Sequence, residues 1–269
     1  MNSKERVKAT LKHKLLDRIA IFDFFDEITL INWRQQAHLA NVEPVDYFDF
    51  DLDFRVENSS KDKFKPLSLN GPFQQLASDK GLQKALIDFT REPRHTKSFF
   101  KNSLDNIFSN YEKHKPAIDG IWLCEDIAYN NGLYFSVDTY KHQLFDFHNE
   151  ISLYFKDKGI PVIFHCDGDV EKLIPFLIKA NFSGIHPLQE SCNPNIMRIK
   201  KDTGSAITFI GAIGLGRIMG LHDDIFDRIS ELKHDGNYIF CFDGPLPQDT
   251  EFKMYEDLIT KIENVGAYQ

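Results

Sequence analysis

Three polar side chains follow two short apolar runs of the sequence and could together hold a metal ion or move a proton. His165 and Asp167 come directly after residues 162–164, and Asp243 comes directly after residues 238–242. Imidazole and carboxylate groups are ligands for divalent metals. An imidazole beside a carboxylate can also act as an acid–base pair. The residues therefore predict a metal site or an acid–base site.

The spacing of these residues indicates which of them share a face. Side chains alternate along a strand, so His165 and Asp167 point one way and Cys166 points the other. The same alternation places Cys241 and Asp243 on one face of the later run. We therefore expect the histidine and the two aspartates to converge. Cys166 is expected to pack under a helix, and Cys241 is expected to be either a reserve ligand or a core residue.

Eight short runs rich in β-branched and aromatic residues recur along the chain, with helical patterns between them. The runs cover residues 19–23, 47–51, 66–71, 120–124, 161–165, 184–188, 206–211 and 238–242. Such alternation favours parallel strands joined by right-handed crossovers. In a chain of 269 residues it predicts a single α/β domain, residues 1–269, folded as a (β/α)8 TIM barrel. No glycine-rich phosphate loop follows the first run, so we expect neither NAD nor PLP as cofactor.

In a barrel of this kind, the chemistry lies at the carboxyl ends of the strands. The polar residues predicted there include Asp23, Asn70, Glu125, Asp126, His165, Asp167, Gln189, Glu190 and Asp243. Carboxylates held close together repel and raise one another's pKa values. We therefore expect a cation or a shared proton at this end of the barrel.

Composition narrows the classes of function. The formal net charge is -8 and no cluster of lysine and arginine is present, so nucleic-acid binding is not expected. The amino-terminal segment lacks the apolar core of a secretory signal, and no apolar run is long enough to cross a membrane. We expect a cytoplasmic protein whose four scattered cysteines are thiols.

Several motifs resemble one known superfamily, that of uroporphyrinogen decarboxylases and cobalamin-linked methyltransferases. Residues 3–7, 11–14 and 17–21 are similar to its opening, which usually looks like S-x-E-R-V, A-L-x-H-K and D-R-[IV]-P-[IV]. Residues 159–168 are similar to kGipvi-x-H-S-[CD]-G. Further similar segments are 70–73, 120–127, 136–140, 186–189 and 209–211. The resemblance spans nearly the whole chain and implies a (β/α)8 barrel.

The decarboxylase branch of this superfamily fits the sequence poorly. That branch carries an arginine motif, M-R-Q-A-G-R-Y, just after the first strand, where this chain has residues 22–27, FDFFDE. Its G-H-G-I-L-P motif near the carboxyl end is matched here by residues 243–247, DGPLP, so the histidine is absent. An acidic site should also repel a substrate with many carboxylates.

The methyltransferase branch implies a metal site. Its zinc is held by one imidazole and two thiolates, from H-x-C-G on strand five and C-G-x-x-P on strand eight. Mapped onto this sequence, His165 is kept, and Asp167 and Asp243 take the places of the thiolates. Glu190 lies near a family acid that can approach the metal, and Cys241 is in reserve. The carboxylates leave the choice open between zinc, a harder divalent ion and no metal.

The resemblance and the residues together favour metal-assisted methyl transfer between a small substrate or corrinoid carrier and a thiol. His165, Asp167, Asp126 and Tyr140 are the expected catalytic or substrate-side groups. The expected substrate-binding residues are Asp23, Asn70, Glu125 and Gln189. A corrinoid protein is a candidate partner, and the cleft is expected to be either open or completed by a second copy in a homodimer. A decarboxylase and a non-catalytic ligand-binding barrel are the alternatives.

Overall fold

The structure is a computed structural model that describes residues 1–14, 16–37, 43–55, 60–219 and 224–268. In these residues, strands of one parallel sheet alternate with helices. The strands are β1 (Ala20–Ile21), β2 (Pro66–Asn70), β3 (Gly120–Cys124), β4 (Ala128–Tyr129), β5 (Gly132–Leu133), β6 (Val162–His165), β7 (Gly184–His186), β8 (Thr208–Ile210) and β9 (Tyr238–Phe240). β4 and β5 form a separate antiparallel hairpin.

The helices cover the sheet and its ends. They are α1 (Ser3–Thr10), α2 (Glu27–Ala37), α3 (Pro44–Tyr47), α4 (Pro72–Lys80), α5 (Leu82–Arg91), α6 (Pro93–His114), α7 (Val137–Gln143), α8 (Phe145–Lys156), α9 (Ile174–Lys179), α10 (Ile196–Thr203), α11 (Gly216–Met219), α12 (Asp224–Lys233) and α13 (Phe252–Gly266). None of the helices in the described ranges has the length and apolar character needed to span a membrane.

The seven strands of the main sheet run in the order β1-β9-β8-β7-β6-β3-β2, and every neighbouring pair is parallel. Apart from residues 68–70 of β2 and the last residues of β3 and β6, their side chains are all buried, as in β6, where residues 162–164 are buried. Strands that carry helices on one face and a packed interior on the other are expected to be apolar on both faces. The predicted α/β class with parallel strands is therefore confirmed.

Seven of the eight predicted runs are strands of this sheet, and the prediction for residues 47–51 is wrong. The segment begins as the last residue of the short helix α3, whose first residue is Pro44. Asp49 then has a φ of 49°, so the chain turns where an extended strand was expected. Proline suits the first turn of a helix and a left-handed residue ends one, which accounts for the difference.

Residues 51–53 nevertheless lie between the two outermost strands of the sheet. The amide of Asp51 donates to the carbonyl of Ile21 at 2.8 Å, and the amide of Asp53 donates to the carbonyl of Phe64 at 2.9 Å. Leu52 also forms an isolated parallel bridge with Phe64. The sheet is therefore curled, with this irregular segment connecting β1 to the residues that precede β2.

Helix α1 packs across the amino ends of the strands. Arg6 forms ion pairs with Asp17, at 2.8 Å, and with the fully buried Asp51. Lys8 pairs at 2.7 Å with Asp119, the residue before β3. These contacts fix one end of the sheet and leave the carboxyl ends of the strands as the open end.

Candidate functional site

A cavity of about 460 Å³ lies at the carboxyl ends of the strands. This volume is within the range of about 300–1,000 Å³ that is typical of small-molecule sites. It is lined by Phe24, Phe54, Ser68, Trp122, Cys124, His165, Asp167, His186, Pro187, Gln189, Phe242, Asp243, Gly244 and Pro245. The lining combines an aromatic side with two carboxylates and two imidazoles.

Asp126, His165 and Asp167 form a compact group at the rim of this cavity. One potential ligand atom from each lies within 4.8 Å of the others. His165 ends β6, and its Cα pairs with that of Cys124, the last residue of β3. The residues that follow these two strand ends therefore meet, and the amide of Asp167 donates to Oδ1 of Asp126 at 3.1 Å.

The β4–β5 hairpin determines how the chain passes this group. Gly168 has a φ of 90°, and a Cβ atom added there would lie 2.7 Å from the carbonyl oxygen of Tyr129. Only glycine tolerates both the left-handed backbone and so close an approach. The next amide, that of Asp169, donates to the same carbonyl at 2.9 Å. The hairpin thus holds the turn that presents Asp167 to the cavity.

Within the described ranges, the carboxylates of the cavity lining have no lysine or arginine beside them. In the part of the chain that the structure describes, neither Asp167 nor Asp243 has a lysine or arginine partner. Desolvation raises the pKa of Asp167, the nearby His165 lowers it and the charge of Asp126 raises it again. Burial is also the main cause that raises the pKa of Asp243. Binding a cation would relieve this unfavourable arrangement.

His165 is held by a second imidazole, that of His186 at the end of β7. The two Nδ1 atoms are 2.8 Å apart, and the Cα atoms are partners in the sheet register. On its other side, Nε2 of His165 lies 3.9 Å from Oδ1 of Asp126. His165 therefore presents one nitrogen to the acids and uses the other for a fixed contact within the protein.

Aromatic rings form the opposite wall of the cavity. The ring centroids of Phe54 and Trp122 are 5.0 Å apart at 83°, and those of Phe24 and Phe54 are also 5.0 Å apart. Trp122 in turn packs on His186, with centroids 4.7 Å apart. Phe54 and Trp122 pack edge to face and the other two pairs are tilted, so the rings give the cavity an apolar side and hold the His186 ring in place.

The set of metal ligands predicted from the sequence is only partly brought together. His165 and Asp167 belong to the compact group, whereas Asp243 lines the cavity outside that group, and its Oδ2 accepts the amide of Glu190 at 2.7 Å. Asp126, which the sequence suggested as a catalytic acid, lies in the position expected for Asp243. The alternation of side chains along β6 correctly placed His165 and Asp167 together. It gave no information on Asp126, which lies in the loop after β3.

Glu190 and Cys241, the other two predicted ligands, lie outside the compact group. Glu190 binds Arg217 with two hydrogen bonds and accepts the amide of Gly214 at 2.9 Å. Burial alone would raise the pKa of Glu190, but these hydrogen bonds and the charge of Arg228 lower it. Cys241 is fully buried, and burial raises its pKa well above the ordinary thiol value. Both are engaged within the protein.

Cys166 and Cys124 differ in their position. Cys166 is fully buried and its sulfur accepts the amide of Ile127 at 3.3 Å, which agrees with the prediction that it faces away from His165. Cys124 lines the cavity, and burial raises its pKa to about 12. Neither thiol is therefore disposed to ionise.

Glu125 and Tyr140, predicted as a substrate-binding and a catalytic residue, are both fully buried. Glu125 accepts the amides of Phe73 and Gln74 at the start of α4, at 3.0 and 2.9 Å. It also bonds His148 at 2.9 Å, and the other nitrogen of His148 bonds the Tyr140 hydroxyl at 3.0 Å. The structure thus places both residues in a connected network beneath the cavity, away from its lining.

The remaining predicted substrate residues lie at different distances from the cavity. Gln189 lines it and accepts the amide of Gly168 at 2.7 Å. Asp23 accepts the hydroxyl of Tyr255 at 2.8 Å, and burial raises the pKa of Asp23 to about 7. Asn70 ends β2, is exposed, and does not belong to the lining.

Sequence reasoning missed His186 and the aromatic wall. A signal for His186 was present, because it ends a candidate strand just as His165 does, and parallel neighbours end at the same edge of a sheet. Trp122 is a packing residue at 3% exposure, yet it also lines the cavity. Phe24 and Phe54 lie in irregular segments, where no periodicity indicates which way a side chain points.

Comparison with known proteins identifies the fold. No protein-family model matches the sequence, and no curated protein matches it. A methyltransferase from Methanosarcina mazei superposes with a TM-score of 0.68 at 12% identity, covering 98% of this chain and 99% of that chain. A Xaa-Pro dipeptidase with bound methionine in the active site gives a TM-score of 0.34 at 12% identity, over 97% of this chain and 64% of that chain, which is too low to carry an argument. The chain thus shares the overall fold of the first of these proteins.

Proposed function

We propose that this protein is an enzyme that transfers a methyl group to the sulfur of a thiol, assisted by a divalent metal. The observation that carries the proposal is the group formed by Asp126, His165 and Asp167 at the rim of a cavity of small-molecule size. The fold shared with a methyltransferase supports methyl transfer over other reactions. Zinc is the first candidate for the metal, as the resemblance to cobalamin-linked methyltransferases implies.

The chemistry of the three side chains fits such an ion. Ligands on a tetrahedral zinc at about 2.0–2.1 Å lie roughly 3.4 Å from one another. Nε2 of His165 and Oδ1 of Asp126 are 3.9 Å apart, so a small side-chain movement brings them to that separation. A site with three protein ligands also leaves a position for a substrate atom, which is the arrangement of catalytic zinc sites.

When bound, the metal would act as a Lewis acid that lowers the pKa of a substrate thiol. The thiol proton would pass to Asp243, which lines the same cavity and whose carboxyl pKa is raised by burial. The thiolate lone pair then forms the new S–C bond, and the bond between the methyl group and its donor breaks with both electrons left on the donor. The aromatic wall would exclude water from the reacting methyl group.

We infer further that residues 51–53 complete a barrel around this site. Their hydrogen bonds to Ile21 of β1 and to Phe64, which precedes β2, support this arrangement, because they bridge the gap between the two edges of the sheet. A complete ring would bring the ends of β3, β6, β7 and β9 to one opening. The cavity lies at that opening and draws its lining from all four strand ends.

Decarboxylation of a substrate with many carboxylates has less support. Over the described residues, the cavity lining contains two carboxylates and no lysine or arginine. Arg217 lines the adjacent cavity, but Glu190 and Asp224 both bind it. A polyanion would therefore meet like charges, which disfavours its binding.

Metal analysis of untagged protein, purified without chelator, tests the first half of the proposal. We expect about one zinc per chain and its loss in His165→Ala and Asp167→Ala. His234→Ala removes a histidine whose side chain is 86% exposed and serves as the matched control. Wild-type protein that binds no divalent metal, or variants that keep it, would contradict the assignment of these ligands.

A methyl-transfer assay tests the second half. The zinc-loaded protein is mixed with methylcobalamin and 2-mercaptoethanol, and mass spectrometry measures the methyl thioether while absorbance follows the loss of methylcobalamin. We expect thioether formation that depends on zinc and on His165. Methyl transfer by a metal-free preparation, or release of carbon dioxide from uroporphyrinogen, would replace this proposal with another reaction.

A further inference from the structure

His186 is a buried polar side chain, and one of its two ring nitrogens has no hydrogen-bond partner among the described residues. The residue is 5% exposed, lines the cavity and uses Nδ1 for the bond to His165. Its Nε2 has no hydrogen-bond partner in the described part of the chain. An unpaired buried polar atom is unfavourable, so its presence in a residue that lines the cavity favours a partner that arrives with a ligand.

The number of hydrogens on the two imidazoles determines whether Nε2 of His186 is a donor or an acceptor. A bond between two Nδ1 atoms requires one hydrogen between them, so one ring donates and the other accepts. If His186 donates, its Nε2 is an acceptor and the hydrogen of neutral His165 is on Nε2, facing Asp126. If His165 donates, its Nε2 is a lone pair facing the acids, and neutral His186 carries its hydrogen on Nε2.

Metal binding selects the second arrangement. A metal at the compact group needs the lone pair of Nε2 on His165, which forces the hydrogen of that ring onto Nδ1. That hydrogen points at Nδ1 of His186, which must then accept it. The hydrogen of His186 is consequently on Nε2, the nitrogen that has no partner in the described part of the chain.

We propose that His186 is the positioning residue that orients His165 toward the metal, and that the Nε2–H of His186 is the hydrogen-bond donor for an oxygen of the substrate. The inference rests on the proposed metal site and deepens it, because it names a residue that determines substrate specificity. It also connects metal binding with substrate binding. The proton arrangement that metal binding requires is the one that makes Nε2 of His186 a hydrogen-bond donor.

The surroundings of His186 indicate the class of substrate. Trp122 and Phe24 pack against its ring, with centroids 4.7 and 6.0 Å away, so the atoms next to the recognised oxygen meet an apolar surface. Asp167 and Asp243 line the same cavity and would repel a carboxylate. The ligand is therefore a small molecule with an uncharged acceptor, a carbonyl or amide oxygen, on an apolar body.

Two variants of His186 test its positioning role through zinc affinity, measured by competition with a chromogenic chelator. His186→Gln keeps an acceptor and a donor at the two ends of an amide, whereas His186→Phe keeps only the ring shape. We expect zinc to bind about 10–100-fold more weakly to His186→Phe, the usual effect of losing a residue that orients a metal ligand, and less than about threefold more weakly to His186→Gln. His234→Phe makes the same substitution at a histidine whose side chain is 86% exposed and is the matched control.

Long-range ¹⁵N–¹H spectra of zinc-loaded wild-type protein test the proton arrangement without a variant that could misfold. We expect His165 protonated on Nδ1 and His186 protonated on Nε2. N-methylacetamide should shift the Nε2 signal of His186 more than acetate does at equal concentration. An equal or larger response to acetate would overturn the ligand class, and His186 protonated on Nδ1 would overturn the proposal itself.

The outcomes separate this inference from the proposed function. Wild-type protein that does not bind zinc would end both. Wild-type protein that binds zinc through His165, with unchanged affinity in a folded His186→Phe variant, would end the inference about His186 and leave the metal site intact.

Discussion

The amino end of the sheet and the cavity at its carboxyl end differ in whether their carboxylates are paired with a cation. At the amino end, the fully buried Asp51 is paired with Arg6 and, at 2.8 Å, with Arg18. Asp119 is likewise paired with Lys4 and Lys8, at 3.1 and 2.7 Å. At the carboxyl end, no lysine or arginine within the described ranges pairs with the acids of the cavity. Acids of the same type are thus neutralised at one end and left without a cation at the other.

The pKa shifts follow this difference. The Arg6 guanidinium holds the pKa of Asp17 well below its usual range. Near the open end, burial raises the pKa of Asp23 to about 7 and raises those of Asp167 and Asp243. A carboxylate whose cation is built into the fold contributes to stability, whereas one without a cation keeps its affinity for a metal or a proton.

The largest expected effect comes from breaking an ion pair at the amino end. Arg6→Met leaves Asp51 fully buried with one arginine in place of two, and leaves Asp17 paired, within the described ranges, with the amino-terminal ammonium alone. Removing one member of a buried ion pair costs about 3–5 kcal/mol, because the remaining charge stays desolvated. We expect the free energy of unfolding, measured in urea, to fall by about that amount.

Lys253→Met is the matched control for Arg6. Lys253 pairs with Glu256 and Asp257, each at 2.8 Å, but its side chain is 72% exposed. We expect no change in the free energy of unfolding beyond experimental error, because solvent screens such pairs. Equal effects of the two substitutions would show that the pairing at the amino end does not stabilise the fold.

The next effect in size concerns zinc and distinguishes two carboxylates of the open end. Asp126→Asn removes an oxygen 3.9 Å from Nε2 of His165, whereas Asp243→Asn changes a group bonded to the amide of Glu190. Loss of one ligand should weaken zinc binding at least about 10-fold, which is 1.4 kcal/mol. We expect this loss in Asp126→Asn and less than about threefold weakening in Asp243→Asn, measured by chelator competition.

The opposite ranking would restore the ligand set that the resemblance implied. In that case Asp243 would have to leave the amide of Glu190 and cross the cavity when the metal binds. The comparison is informative because both substitutions remove one carboxylate from the same open end. Asp126 lies 3.9 Å from Nε2 of His165, whereas Asp243 accepts the amide of Glu190.

A smaller effect should appear as a dependence of stability on pH. Because burial raises the pKa of Asp23 to about 7, the folded protein holds a proton that the unfolded chain releases near pH 3.8. The free energy of unfolding therefore falls as pH rises from about 4 to 7, opposite to the contribution of Asp17, which is lost as pH falls. Asp23→Asn should remove this fall. Its free energy of unfolding relative to wild type should therefore increase by about 1–2 kcal/mol from pH 4 to pH 8.

Urea unfolding of wild type and of Asp23→Asn at pH 4 and at pH 8 measures this effect. Asp138→Asn, in a side chain that is 81% exposed, is the control. A difference between Asp23→Asn and wild type that is the same at pH 4 and pH 8 would show that Asp23 is ionised throughout.

The sequence was most informative where structure is periodic. Runs of five or six residues, rich in β-branched and aromatic side chains, predicted seven strands of the sheet. The same reasoning failed at residues 47–51, because their composition favours a strand while Pro44 and the left-handed Asp49 impose a helix and a turn. Local backbone geometry outweighed β propensity there.

The site could be predicted only for residues whose direction follows from the alternation of side chains along a strand. Parity placed His165 and Asp167 together and Cys166 apart, as the structure has them. It could not place Asp126, which follows β3 in a loop, nor show that Asp243 is bonded to the amide of Glu190. Loop positions depend on contacts distant in sequence, and those contacts have no periodic signature.

The smallest expected effect concerns Tyr140, which the sequence assigned to the substrate side and the structure places in a buried network. Tyr140→Phe removes one hydrogen bond to His148 at 3.0 Å, and the bond of His148 to Glu125 remains. We expect the free energy of unfolding to fall by about 1 kcal/mol, and the zinc affinity to change less than about threefold, because the hydroxyl does not reach the cavity lining. Urea unfolding and chelator competition on the same preparation measure both. Unchanged stability with a large loss of methyl transfer would instead support the substrate role, because only contact with a ligand would then explain the hydroxyl.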